Sequence, residues 1–172
     1  MVTLNRSVFA QDPTGFVIPN DGVARVGLPS TPQQWDTLRW ELQSFVCDGE
    51  YRVGLERILG TYLARLGESK QPAAWVSGFY GSGKSHLARV LDALWRDVTF
   101  PDGVSARGLV NLPEDISDHL RDLSTAGRRE GGLWSAAGTL STGVGSSVRL
   151  AIMGIVFRAA GLPEKFAQAK FV

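Results

Sequence analysis

Eight consecutive residues, Gly78, Phe79, Tyr80, Gly81, Ser82, Gly83, Lys84 and Ser85, satisfy G-x-x-x-x-G-K-[ST] at every fixed position, and few local structures are compatible with that pattern. Its glycines let the backbone curl until several N–H groups point inward at phosphate oxygens, and a helix N-terminus behind them adds its positive end. Lys84 then reaches the β- and γ-phosphates, and the Ser85 hydroxyl is placed to ligate magnesium. The chemistry demands a strand, the loop and a helix in that order. Ala73, Ala74, Trp75, Val76 and Ser77 form a short apolar run that reads as a buried strand entering the loop, and Leu87, Val90, Leu91 and Leu94 recur at helical spacing after it.

Composition narrows the setting without naming a ligand. The chain has 172 residues, 44% hydrophobic and 20% charged, the balance of a folded soluble domain. Eighteen Lys plus Arg stand against 17 Asp plus Glu, a net charge of +1, so there is no global electrostatic footprint for nucleic acid or anionic membrane. Cys47 is the one cysteine, which excludes an internal disulfide and a cysteine-cluster zinc site and makes it a small buried apolar residue in a reducing compartment. The first ten residues lack the apolar core of a signal peptide, and the stretch 148–157 is too short to span a bilayer. A cytoplasmic protein is expected.

Elsewhere the pattern is mostly helical. Residues 16–18 and 23–26 are β-like around the turn-forming Pro19-Asn20-Asp21-Gly22, which reads as a small hairpin. Thr31 is placed as an N-cap, with Pro32 in the first position and Gln34 closing a capping box, and Trp35, Leu38, Leu42, Phe45 and Val46 share one face of that helix. A second helix from about Tyr51 carries Leu55, Ile58, Leu59, Tyr62, Leu63 and Leu66 and ends at Gly67. Pro113 and Glu114 open a third, with Ile116, Leu120 and Leu123 inward, closed by the glycine-rich run 127–132. Arg128 and Arg129 in that run read as solvated. Residues 133–140 read as another strand, and Ser146 or Ser147 caps a last helix that Gly161 and Pro163 stop.

Turnover needs more than a phosphate loop, namely an acid at the end of a second buried strand and a group that orients the attacking water. The nearest run, Leu109-Val110-Asn111-Leu112-Pro113-Glu114, is broken by Pro113. Together with an end in mid-pattern at Val172, this points to the N-terminal part of a larger ATPase. These residues alone are expected to bind without turnover.

Several stretches, 17–24, 41–49, 75–87 and 131–140, resemble the N-terminal region of the large P-loop ATPases of bacterial phage-defence systems, of the phage-growth-limitation (PglY) and bacteriophage-exclusion (BrxC) type. The fold class expected from pattern and resemblance together is α/β: a P-loop NTPase (AAA-like) core, incomplete here, with its N-terminal part over 68–172, preceded by a β-hairpin segment over 1–30 and a helical preface over 31–67. The resemblance implies ATP with Mg2+ as ligands, other proteins of a phage-defence complex as partners and DNA among the targets; an oligomer is left open, and no membrane partner is expected from the sequence. Gly78, Phe79, Tyr80, Gly81, Ser82, Gly83, Lys84, Ser85 and His86 are the ATP-binding stretch, with Lys84 catalytic and Ser85 on magnesium. His86, next to that serine, also reads as an ordinary helix-surface histidine. The likeness to AAA-type ATPases makes Phe45, Val46 and Tyr51 candidates for contact with the base, with core packing as the other reading. Two further functions fit the loop: a small-molecule or nucleoside kinase, and a nucleotide-gated interaction module that does not hydrolyse.

Overall fold

A computed structural model describes Thr14 and residues 27–140 and 147–163. Six helices occupy them: α1 (Pro32–Gln43), α2 (Gly49–Ala64), α3 (Lys84–Arg96), α4 (Ala106–Leu109), α5 (Glu114–Arg129) and α6 (Val148–Ala159). The α/β core expected from the sequence is not there. Among the described residues no strand forms, and the single β-type pairing outside strands is an isolated antiparallel bridge between Thr99 and Ser105.

Neither expected strand forms a ladder. Residues 73–77 run exposed, with Trp75 91% exposed, because a short apolar run codes for extension and burial without supplying the neighbouring strand that a ladder needs. Residues 133–140 lie against helices instead. Leu133 packs on the core, the Ser135 hydroxyl donates to Asp92 Oδ1 at 2.5 Å on α3, and Gly138 approaches Ile155 of α6 so closely that an added Cβ would meet its Cγ1 at 2.8 Å. The hairpin expected over 1–30 falls largely outside the described residues.

The core is an interhelical one. Leu38 and Leu42 of α1, Leu55 and Leu59 of α2, Val90 and Leu94 of α3, and Ile116, Leu120 and Leu123 of α5 are all at most 3% exposed, each leucine or isoleucine contributing about 1.5–3 kcal/mol by burial. α2 packs mainly on α5. Gly60 makes room there, since a Cβ on it would meet His119 Nε2 at 3.0 Å, and Arg52 Nη2 pairs with Asp115 Oδ2 at 3.0 Å across the same interface. α1 is started as its sequence promises: the Thr31 hydroxyl accepts from Gln34 N at 3.3 Å. The reciprocal arm shifts by one residue, with Gln34 Oε1 accepting from Ser30 N at 2.8 Å.

Other boundaries move for identifiable reasons. α1 ends at Gln43, so Phe45 enters the core from a connector while Val46 turns out, 72% exposed. α5 continues through Gly127 to Arg129 and reaches its C-cap at Glu130. The buried Gly127 lets Leu133 lie against the helix. The run 109–114 holds the end of α4 and the start of α5, with Pro113 as N-cap. α6 begins with the Ser147 hydroxyl accepting from Leu150 N at 3.5 Å.

α3 is the helix that carries the loop, and its far end is tied down heavily. Its C-cap Asp97 is left-handed (φ 48°), and Asp97 Oδ1 accepts from Arg107 N at 3.1 Å. The Arg107 guanidinium donates to Leu94 O at 2.7 Å, Trp95 O at 3.2 Å, Leu120 O at 2.8 Å and Ser124 Oγ at 2.5 Å, joining the C-terminal turn of α3 to α5. α1 holds the following loop through Arg39, whose guanidinium pairs with Asp102 at 2.7 Å and sits 4.7 Å over the Phe100 ring.

Candidate functional site

The run 78–85 forms a tight loop that turns directly into α3. Gly81 and Gly83 take φ of +81° and +80°, a region open to glycine at little cost. Gly83 is the N-cap of α3 and offers no side-chain cap, and no acidic residue occupies the first turn. The first hydrogen bond into the helix runs from Leu87 N to Gly83 O at 2.8 Å. Among the described residues, the amides of Tyr80, Gly81, Gly83, Lys84 and Ser85 donate to no backbone carbonyl, whereas Ser82 N closes a turn onto Phe79 O at 3.2 Å. Uncapped N–H groups at a helix start are the partners that an anion satisfies.

Lys84 folds back over this loop. Its ammonium donates to Gly78 O at 2.9 Å, Phe79 O at 2.6 Å and Ser82 Oγ at 3.4 Å. Three donors are thus held within the curl of the loop by neutral acceptors, which phosphate oxygens outcompete through charge. Gly78 sits so close to Ser82 that an added Cβ would meet its Oγ at 2.8 Å. The Ser85 hydroxyl, half-buried in the first turn, has no hydrogen-bond partner among the described residues. A free hydroxyl oxygen one residue past the lysine is a donor that suits Mg2+, which takes hard oxygen ligands and keeps several waters. No group of three or more His, Cys, Asp or Glu among the described residues is arranged to hold a metal by itself.

The remaining residues of the stretch separate into different environments. Phe79 and Tyr80 are 90% and 91% exposed, and Phe79 is among the residues lining the cleft beside the loop. His86 faces inward, not outward as a helix-surface residue: its ring lies 5.7 Å from that of Phe45, and burial, then the nearby Arg89 charge, holds its pKa below the usual imidazole value. Arg89 pairs with Glu41 of α1 at 2.8 Å in the interior.

Of the three residues considered for base contact, Phe45 is 6% exposed in the core and Val46 points away. Tyr51 does reach the loop, but at its backbone. The hydroxyl donates to Ser82 O at 2.6 Å, and a Cβ on Gly83 would collide with that hydroxyl. No spacing rule links residues 51 and 82; the contact arises because α2 packs alongside the loop.

A cleft of about 880 Å³ opens beside the loop, its walls including Tyr51, Arg57, Tyr62, Trp75, Lys84 and Trp95. Its size and aromatic walls are those of a small-molecule site. Among the described residues that line it, Glu50 is the one carboxylate. Comparison of the chain with protein-family models, curated proteins and solved structures returned no match. The reading of the site therefore stands on its own geometry. No described helix is long and apolar enough to cross a membrane.

Proposed function

We propose that this chain is a nucleoside-triphosphate-binding module whose phosphate site is the loop 78–85. The observation that carries the reading is the convergence on one small curl of the Lys84 ammonium, the uncapped N-terminus of α3 and several loop amides that donate to no backbone carbonyl among the described residues. Gly78, Gly81 and Gly83 supply the backbone path, Lys84 exchanges carbonyl partners for phosphate oxygens, and Ser85 offers its hydroxyl to Mg2+. The resemblance noted above supplies ATP as the nucleotide and a phage-resistance complex, with DNA among its targets, as the setting.

Binding without turnover by these residues is favoured by one observation, that Glu50 is the sole carboxylate lining the cleft among the described residues. Titration calorimetry with Mg·ATP tests the proposal. Lys84→Ala removes at least two charge-assisted hydrogen bonds, each worth about 1.5–3 kcal/mol, so affinity should fall about a hundredfold or more while the circular dichroism spectrum stays the same. Equal affinity in wild type and variant would refute it. Phosphate release by wild type under the same conditions would show turnover, and transfer to a metabolite acceptor would return the kinase reading.

A further inference from the structure

Tyr51 is the one side chain from another helix that hydrogen-bonds to the loop among the described residues, and the atom it chooses matters. Ser82 O and the Gly83 N–H belong to the same trans peptide unit, so they point in opposite directions from one rigid plane. A hydroxyl that holds the carbonyl on the α2 side therefore aims the Gly83 N–H to the other side, where that amide donates to nothing among the described residues. Tyr51 is itself fixed. It lies in the first turns of α2, whose N-cap Asp48 accepts from Gly49 N at 2.7 Å, and its ring meets Phe45 edge-on at 5.8 Å. The approach is so close that only glycine fits at position 83.

We propose that Tyr51 is a positioning residue for triphosphate binding, presetting the peptide between Ser82 and Gly83 so that the Gly83 amide is aimed before ligand arrives. The proposal rests on the nucleotide-binding reading and sharpens it. The loop has two kinds of internal bond: those of Lys84 to Gly78 O and Phe79 O, which break when the lysine turns to phosphate, and that of Tyr51, which persists because it lies on the far face of the peptide. Tyr51 thus acts on phosphates and not on the base.

The test titrates wild type and Tyr51→Phe with Mg·ATP and with magnesium tripolyphosphate, which has no base or ribose. Loss of one hydrogen bond that orients the loop corresponds to a three- to tenfold weakening, on the order of one neutral bond, and the factor should be the same for both probes. The NMR order parameter of the Gly83 amide in the free protein should fall in the variant, while the circular dichroism spectrum stays the same because the phenyl ring keeps the packing. Equal affinities in the two proteins, or an unchanged order parameter at Gly83, overturn the proposal. Weakening confined to ATP would place Tyr51 on the base and overturns it too. A wild type that binds neither probe defeats the nucleotide-binding reading itself, a result distinct from a wild type that binds and a variant that binds equally.

Discussion

Replacing Arg107 by methionine should destabilise the fold by about 3 kcal/mol, a figure built from what each of its acceptors keeps. Leu94 O still receives the Asp97 amide at 3.3 Å, and Leu120 O still receives the Ser124 hydroxyl at 3.1 Å. Each of those losses amounts to about 1 kcal/mol. Trp95 O is different, because among the described residues Arg107 is its donor; leaving it without one costs about 1–2 kcal/mol. The favourable placement of a cation at the C-terminal turn of α3 adds a few tenths. Arg107 is half-buried, so water recovers part of the sum and the total settles near about 3 kcal/mol. For a chain of this length that is a drop of about 6–12 °C in Tm. Urea unfolding followed by fluorescence of the five tryptophans would measure it, with Arg107→Lys as a control that keeps the charge and loses the planar fork. The lysine variant should recover less than half of the loss. A methionine variant within about 0.5 kcal/mol of wild type would refute the reasoning, because it would mean that the four contacts are replaced by water at no cost.

Two acidic side chains should bend the stability profile in opposite senses. Burial raises the Glu41 carboxyl above its usual range, with Arg89 partly opposing, so its contribution is full below the ordinary glutamate pKa and is lost as pH rises through the raised value. At Asp115 the desolvation penalty is the largest single effect, but the Arg52 hydrogen bond, the Ile116 amide and the Arg52 charge together outweigh it, and the pKa is lowered; its contribution is present above the ordinary aspartate pKa and is lost as pH falls through the lowered one. The gap in urea midpoint between wild type and Asp115→Asn should therefore close as pH falls below about 4, while that between wild type and Glu41→Gln should widen as pH falls toward the ordinary glutamate range, about 4.3, and stay level below it. Parallel profiles would contradict both assignments. Gly127→Ala should destabilise by about 1–3 kcal/mol through overpacking despite the better helix propensity of alanine, because the new Cβ would lie 2.6 Å from Leu133 Cγ. A stabilised variant in the same urea assay would show that Leu133 moves aside freely.

The helices were legible because their signals are local. The N-cap at Thr31, the leucine stripes of α2 and α5, the start at Pro113 and the cap at Ser147 each arise within a few residues. The strands were not, because a strand is defined by a partner. Residues 73–77 and 133–140 have the composition of strands, and the first is left exposed while the second is held by Ser135 on Asp92 and Leu133 on the core. Long-range side-chain contacts were equally hidden. Arg107 offered no pattern by which to foresee its reach to α5, and nothing in the spacing of residues 51 and 82 joined α2 to the loop.

That contrast explains why the loop takes its expected backbone path although the expected sheet is absent among the described residues. Glycines at left-handed positions, a helix that starts immediately after them and a lysine in its first turn are all found within residues 78–85, each set by local sequence, while the strand expected before them is not formed. What the sheet would have supplied is rigidity on the N-terminal side, where residues 73–77 are exposed and unpaired in a ladder. Here the restraint comes from the other direction, through Tyr51 on the Ser82 carbonyl and through the anchoring of the far end of α3 by Arg107 and Asp97. Loosening the α3 anchor should therefore be felt at the loop less than loosening Tyr51. A helix of 13 residues transmits little of a frayed last turn to its first, whereas the Tyr51 bond acts on the very peptide that presents the Gly83 amide.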